Sequence, residues 1–301
     1  MRILICSDGT DPADNPTRLG GLIAGPCQSQ TTLLGIIEDA AEEDPLRKAL
    51  ETEARILKEQ QVIPEIVVRS GEPIRQILAE TTANEYDLAI IGARRKGESE
   101  SGLYWRPEKT YEVIKAVPPP VLVAIGSCDR LKKILVCTGG KKFIDDAVQL
   151  AGEIAKCVSG TVTLLHVMAE PPAIYADLVR LEEDVDRLLA SDSELGRNLR
   201  GQKESLEKLG LNVSVRVRHG LALDQIFSEV REGEYDLIVT GTSQARGPFR
   251  HYIMGDLTRG VLNRAECPVL VARAGKIVDD EDAEGGFFYR LIHGFGASKA
   301  A

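Results

Sequence analysis

The feature that most constrains this chain is that it repeats itself. Ile3-Leu4-Ile5-Cys6-Ser7-Asp8-Gly9 returns as Ile134-Leu135-Val136-Cys137-Thr138-Gly139-Gly140, 131 residues later. Arg69-Ser70-Gly71 returns as Arg218-His219-Gly220, and Tyr86-Asp87-Leu88-Ala89-Ile90-Ile91-Gly92 as Tyr235-Asp236-Leu237-Ile238-Val239-Thr240-Gly241, both 149 residues later. Pro120-Val121-Leu122-Val123-Ala124 returns as Pro268-Val269-Leu270-Val271-Ala272 after 148. The chain reads as two copies of one unit: a first domain over residues 1–127, a second over 132–275, the linker Asp129-Arg130-Leu131-Lys132 between them, and a tail at 276–301. The step in offset from 131 to 149 puts 18 additional residues into the second copy before Gly220. Leu178, Leu181, Val185, Leu188 and Leu189 recur there at helical spacing, which predicts a longer helix within Ala176–Lys208 whose charges form a solvated face.

Each repeated run is short, rich in apolar and β-branched residues and bounded by glycine or proline, which indicates a buried strand rather than a helix. Strands are predicted at about 2–6, 31–37, 62–68, 87–91 and 121–124, and again at about 133–137, 161–167, 212–218, 236–240 and 269–272. Helical spacing fills the intervals; Ile253, Leu257, Val261 and Leu262 predict a helix from about Tyr252 to Arg264, ended by Glu266-Cys267-Pro268. Strands alternating with helices build a parallel sheet covered on both faces. The predicted class is therefore α/β, two tandem five-stranded parallel-sheet domains, and two hydrophobic cores are expected at this length. Ligands in such sheets bind where loops leave the carboxyl ends of the strands, so the loop after Thr240 is the first place to look for function.

Composition narrows the partners. With 43% hydrophobic and 28% charged residues the chain has the balance of an ordinary soluble globular protein. A net charge of −9 argues against a nucleic-acid partner, yet a small anionic ligand needs only a local cationic patch. No apolar run approaches the roughly 18 to 20 residues that span a bilayer. Met1 to Asp8 is too quickly polar for a secretory signal, so a cytoplasmic protein with no membrane partner is expected. The six cysteines form no CxxC pair and the four histidines show no ligand spacing, so neither a metal site nor a disulfide framework is predicted. Cys6 and Cys137 sit inside strand runs as small buried hydrophobes. The acidic run Asp279-Asp280-Glu281-Asp282 reads as solvated, and Phe287-Phe288-Tyr289 as a segment that docks on the body or on a partner.

The order of elements, the duplicated opening strand, the Tyr235–Gly241 strand and the Cys267–Ala272 closing strand together resemble the universal stress protein family in its tandem form, over residues 1 to about 275. The resemblance implies a Rossmann-like, adenine nucleotide alpha hydrolase-like fold. It also implies pairing of Val121–Val123 with Val269–Val271 into an intrachain pseudo-dimer, with two chains pairing again as a homodimer, and a stress-response regulatory role without enzymatic turnover. ATP-binding members share a loop G-x2-G-x9-G-[ST] and an aspartate at the end of the first strand. Glycines let backbone N–H groups approach phosphates, a helix amino terminus favours negative charge, and the hydroxyl adds a donor.

In the second copy Gly241 matches the first glycine, followed by Thr242; Gln244 replaces the second glycine, Gly255 matches the third one residue late, and Asp256 replaces the hydroxyl residue. Gly139 stands in the aspartate's place, with Arg246, Arg250 and His251 as compensating donors. In the first copy Asp8 and Gly9 are present and Gly92 matches the first glycine, while Arg95 replaces the second within the basic cluster Arg94-Arg95-Lys96. Trp105 follows, as a stacking surface for a base or as a loop anchor. The ligand so implied is ATP or AMP, bound weakly or in altered form, with Asp8, Gly9, Gly92, Arg95, Gly241, Thr242, Arg246, His251 and Gly255 as candidate contacts. The alternative is a scaffold dimer that binds no nucleotide and acts through its surface and tail, favoured by Arg95, Gln244 and Asp256. An enzyme is the third reading, and the sequence offers it no nucleophile beside a base, no P-loop lysine and no metal cluster at a fixed spacing.

Overall fold

The structure, a computed structural model, describes residues 1–9, 16–38, 43–92, 107–140, 144–169, 185–242 and 255–273. The first half runs β1 (Arg2–Ser7), α1 (Pro16–Ala24), β2 (Gln30–Ile37), α2 (Glu43–Glu59), β3 (Glu65–Ser70), α3 (Pro73–Ala83), β4 (Leu88–Gly92), α4 (Pro107–Ala116) and β5 (Val121–Ala124). The second runs β6 (Lys133–Cys137), α5 (Asp145–Cys157), β7 (Thr161–Met168), α6 (Val185–Ala190), α7 (Glu194–Glu207), β8 (Val213–His219), α8 (Ala222–Gly233), β9 (Leu237–Thr242), α9 (Asp256–Arg264) and β10 (Val269–Arg273). The strands lie within a few residues of their predicted places. The largest offset is β3, which starts at Glu65 rather than 62 because Pro64 has no N–H to give a ladder and Ile63 is exposed.

All ten strands join one sheet in the order β3-β2-β1-β4-β5-β10-β9-β6-β7-β8. Neighbours are parallel except at the centre, where β5 and β10 run antiparallel with Val121 opposite Val271, Leu122 opposite Leu270 and Val123 opposite Val269. The closing strands of the two halves thus pair as expected, and the strand order reads the same outward from that seam in both directions. Consecutive side chains of a strand point to opposite faces. Leu122 and Leu270 therefore join one core with Ile5, Ile90, Val136 and Val239, beneath α1, α2 and α5. Val121, Val123, Val269 and Val271 join another with Leu4, Ile91, Leu135 and Ile238, beneath α3, α4, α8 and α9. Two cores exist, as expected; they divide by sheet face and each crosses both halves, because the seam makes the pleat continuous.

The longer helix expected within Ala176–Lys208 is corrected. Among the described residues of that range two helices stand, α6 and α7, separated at Ser191-Asp192-Ser193, where Ser193 caps α7 by accepting from the N–H of Gly196 at 3.0 Å. Leu178 and Leu181 lie outside the described residues. Of the helix expected from Tyr252, Asp256–Arg264 is helical, and Tyr252–Met254 lie outside the description. Cys6 and Cys137 are buried as expected, and burial pushes each thiol up to about 12.

The tyrosine and aspartate that precede β4 and β9 turn out to be structural. Tyr86 Oη donates to Glu80 Oε1 at 2.8 Å, and Arg69 Nε to Glu80 Oε2 at 2.8 Å. Tyr235 and Arg218 hold Glu229 in the same way, at 2.9 and 2.7 Å. Asp87 accepts from the N–H of Arg2, while Asp236 accepts from the N–H groups of Lys132 and Lys133 and from Arg130 Nε. The linker is consequently fastened to the start of β9, with Leu131 buried.

Candidate functional site

In each half the strand order reverses direction between the first strand and the fourth, β1 and β4 or β6 and β9, and the crevice outside their carboxyl ends is the expected ligand mouth. In the first mouth β1 ends in Ser7-Asp8-Gly9. The N–H of Gly9 donates to Ser7 Oγ at 3.0 Å, and the chain turns there with φ +68°, a conformation that favours glycine. Beneath this turn lies a carboxylate the sequence reading missed. Glu53 of α2, 2% exposed, accepts from Ser7 Oγ at 2.5 Å and from Thr17 Oγ1 of α1 at 2.7 Å. Burial pushes its carboxyl above the usual carboxylate range; the two hydroxyls pull it back and Asp8 adds to the rise, so the net shift is upward.

The second mouth keeps this frame and changes its charge. The N–H of Gly140 donates to Thr138 Oγ1 at 3.1 Å and Gly140 has φ +67°, matching Gly9. Thr138 Oγ1 donates to Oε1 of Gln202, an amide on α7 where Glu53 stood on α2, and Gln202 Nε2 donates to Asp145 Oδ1 at the start of α5 at 2.9 Å. His166 Nδ1 lies 2.9 Å from the Thr138 carbonyl, and Asn198 Nδ2 donates to the Gly140 carbonyl, so this turn is held from two sides. Both buried groups were detectable in principle. Leu46, Leu50, Glu53 and Leu57 form one apolar stripe on α2, as do Leu199, Gln202 and Leu206 on α7, and a polar residue in such a stripe must have a partner inside.

The candidate residues fall into place unevenly. Asp8 and Gly9 sit at the lip of the first mouth and Gly92 ends β4 beside it, where a Cβ would lie 3.2 Å from Pro16 Cγ. Gly241 occupies the matching place on β9, and a Cβ there would lie 2.7 Å from Ile144 Cδ1, so a side chain would have to displace the tip of Ile144 at the start of α5. Thr242 ends β9. Gly255 is the N-cap of α9 and contributes no side chain to the first-turn N–H groups, and Asp256 is exposed in that turn. Thr258 Oγ1 donates to the Gly241 carbonyl at 3.0 Å, tying α9 to β9. In the first half the buried hydroxyl of Thr110 on α4 has no partner among the described residues. Arg95, Arg246 and His251 lie outside the described residues, as do Arg94, Lys96, Trp105 and Arg250 and the tail. Among the described residues no group of His, Cys, Asp or Glu could hold a metal, and no helix is long and apolar enough to cross a membrane.

The raised Glu53 carboxyl has a consequence for stability. A folded pKa above the unfolded value gives stability that is fully present below the unfolded pKa and lost as pH rises through the folded one. Glu53→Gln, which installs the residue the second half uses, is expected to raise the melting temperature at pH 8, with the gain shrinking as pH falls toward the ordinary carboxylate range near 4. Thermal denaturation of both proteins across pH checks this; a variant less stable than the parent at pH 8 contradicts it.

Strand order, seam and mouths define a Rossmann-like α/β protein with one crevice in each half. Residues 130–273 match the model of the Universal stress protein family. The universal stress protein MJ0531 of Methanocaldococcus jannaschii is 26% identical over 145 residues, 48% of this chain and 84% of that protein. The universal stress protein Slr1230 of Synechocystis is 24% identical over 196 residues, 64% of this chain and 60% of its own length. Among solved structures, a universal stress protein from Archaeoglobus fulgidus superposes with a TM-score of 0.65 at 18% identity, covering 91% of this chain and 98% of that one. A putative universal stress protein from Pseudomonas aeruginosa gives 0.66 at 18% identity, over 91% and 93%. Residues 130–273 thus carry a universal stress protein domain, and the chain as a whole shares the fold of these solved structures.

Proposed function

We propose that this chain is a stress-response binding module, built as one pseudodimeric body from units at residues 1–127 and 132–275, that takes an adenine nucleotide, ATP or AMP, weakly in its second mouth. The observation that carries this reading is the exchange of Glu53 for Gln202. The buried base of the second mouth is the neutral amide of Gln202, with one carboxylate, Asp145, hydrogen-bonded to it, where the first mouth holds the Glu53 carboxylate with Asp8 at its lip. An anion reaching the amino terminus of α9, whose cap residue is Gly255, meets less repulsion from that base. Gly241 supports the reading by keeping the end of β9 bare. Asp256 limits the affinity, since two unit charges about 4 Å apart repel by about 1 kcal/mol even in water. No catalytic residue is assigned, and pairing of two chains as a homodimer belongs to the same reading.

Asp256 also favours the second reading, a scaffold that binds no nucleotide. The two separate by thermal shift with ATP and AMP. A ligand at 100 times its Kd stabilises by about 2.7 kcal/mol, roughly 5–10 °C for a chain of this size. The shift is expected to grow in Asp256→Ser, which restores the hydroxyl of the family loop, and to disappear in Gln202→Glu, which copies the first mouth. An undiminished shift in Gln202→Glu would place binding elsewhere, and no shift even in Asp256→Ser would leave the scaffold.

A further inference from the structure

We infer that β3 is the docking edge for a second copy of this chain, the two strands pairing antiparallel about a two-fold axis at Val67 and joining two ten-stranded sheets into one. This names the surface of the homodimer included in the proposed function and rests on that part of it. β3 and β8 are the end strands of the sheet, and an end strand offers unpaired backbone groups to another chain. The two ends differ. α6, a helix without a counterpart among the described elements of the first half, packs against β8, and that strand carries an exposed arginine, Arg216. At the other end Ile63, just before β3, is 84% exposed, and Ile66 within it is 40% exposed.

Backbone direction and side-chain pattern select one register. The N–H of Gly71 donates to the Ile37 carbonyl of β2 at 2.9 Å. Backbone groups alternate in direction along a strand, so those of Arg69, Val67 and Glu65 also face β2, and those of Ile66 and Val68 face outward. Side chains alternate between faces as well. Val68 packs in the core beneath α2, on the face it shares with Ile66, and Val67 in the core beneath α3, on the face it shares with Glu65 and Arg69. A two-fold axis normal to the sheet keeps each face on its own side, and so must pass through a residue. Placed at Val67, it sets Ile66 opposite Val68 of the copy, a pair whose outward backbone groups exchange both N–H···O=C bonds. It also sets Glu65 opposite Arg69 of the copy, a carboxylate against a cation, twice over. Arg69 gives Nε and Nη2 to Glu80, so Nη1 is the donor left for Glu65. Moving the axis to Ile66 puts Pro64, which has no N–H, inside the ladder opposite Val68 and sets Glu65 against Val67. Moving it to Val68 sets Val67 against Arg69 and Glu65 against Gly71. Charge, apolar surface and backbone direction therefore agree at Val67.

The test is the mass of the full chain in solution, read by light scattering over a range of concentrations without nucleotide. A reversible dimer is expected. Glu65→Arg, which sets cation against cation at an exposed position, should raise its dissociation constant about tenfold or more. Ile66→Pro removes an outward N–H and no bond to β2, and should leave mostly monomer at concentrations where the parent is dimeric. Both variants should keep the far-UV circular dichroism of the parent. Leu221→Ser, at an apolar residue of the other half that is 75% exposed, should leave the dimer intact. Val67→Cys meets its own copy across the axis, where facing Cα atoms lie about 4.5 Å apart, and should give an interchain disulfide at position 67 on air oxidation, mapped by mass spectrometry. A monomer at every concentration overturns both the inference and the homodimer. A dimer that ignores Glu65→Arg and Ile66→Pro and forms no disulfide at position 67 overturns the inference alone.

Discussion

Replacing Leu270 by aspartate is expected to leave no folded protein. Leu270 has no exposed surface, lies opposite Leu122 in the antiparallel seam, and packs in a core that runs beneath both halves. Truncation of such a leucine costs about 2–5 kcal/mol. A carboxylate confined there adds a desolvation penalty of several kcal/mol, since no cation faces the position from β5 or β9. The sum reaches the whole of an ordinary domain's stability, about 5–15 kcal/mol. Soluble yield and far-UV circular dichroism read the outcome. The milder Leu270→Ala keeps the question answerable if the aspartate variant cannot be isolated. It should lower a single cooperative transition by roughly 5–15 °C, and Leu122→Ala from the other half should do the same. A variant in which one half melts at its original temperature would show that the seam does not couple them.

The second large effect lies at Glu80. Its carboxylate, 3% exposed, receives Arg69, Tyr86 and Asn84, and Glu80→Ala leaves three donors without their acceptor. Breaking a buried ion pair costs about 3–5 kcal/mol, and the one-third exposure of the Arg69 side chain places the expected loss at the lower end of that range. Burial alone would raise this carboxyl, but the Arg69, Tyr86 and Asn84 hydrogen bonds and the Arg69 charge outweigh it and hold it below the usual carboxylate range. The sign is therefore opposite to that of Glu53. Its stabilisation is present above the unfolded pKa, near 4.3, and is lost as pH falls through the lower folded value. Glu80→Gln is expected to be less stable than the parent at pH 7, with the two melting temperatures converging in acid. Parallel curves down to pH 2 would contradict the assignment.

How much of this was legible in the sequence follows from what kind of residue carried each feature. The strands were readable because Ile3–Cys6, Ile134–Cys137 and Leu237–Thr240 are apolar runs too short for helices, and their recurrence gave the two-unit plan before any contact was known. The seam pairing came from the family resemblance, and the register Val121 opposite Val271 is consistent with it. The division of the cores by sheet face was not legible, because it depends on β5 and β10 carrying the pleat across the two halves. The split at Ser191–Ser193 was missed because helical spacing persists over a break that a capping serine makes. Tyr86, Asp87 and their repeats were used as markers of the family and proved to be fastenings for Glu80, Glu229 and the starts of β1 and β6. At the mouths, the motif drew attention to glycines and basic loop residues, while the charge difference between the halves resides in Glu53 and Gln202, side chains on helices far from the loop in sequence.

The measurement that bears most directly on the central claim is mass spectrometry of the small molecules released when freshly purified protein is denatured. The unequal mouths predict an adenine nucleotide recovered at less than one per chain, and a smaller recovery from Gln202→Glu prepared in parallel. Recovery of none from the parent protein, together with no thermal shift on adding ATP or AMP, would contradict the claim and leave the pseudodimeric body as a scaffold.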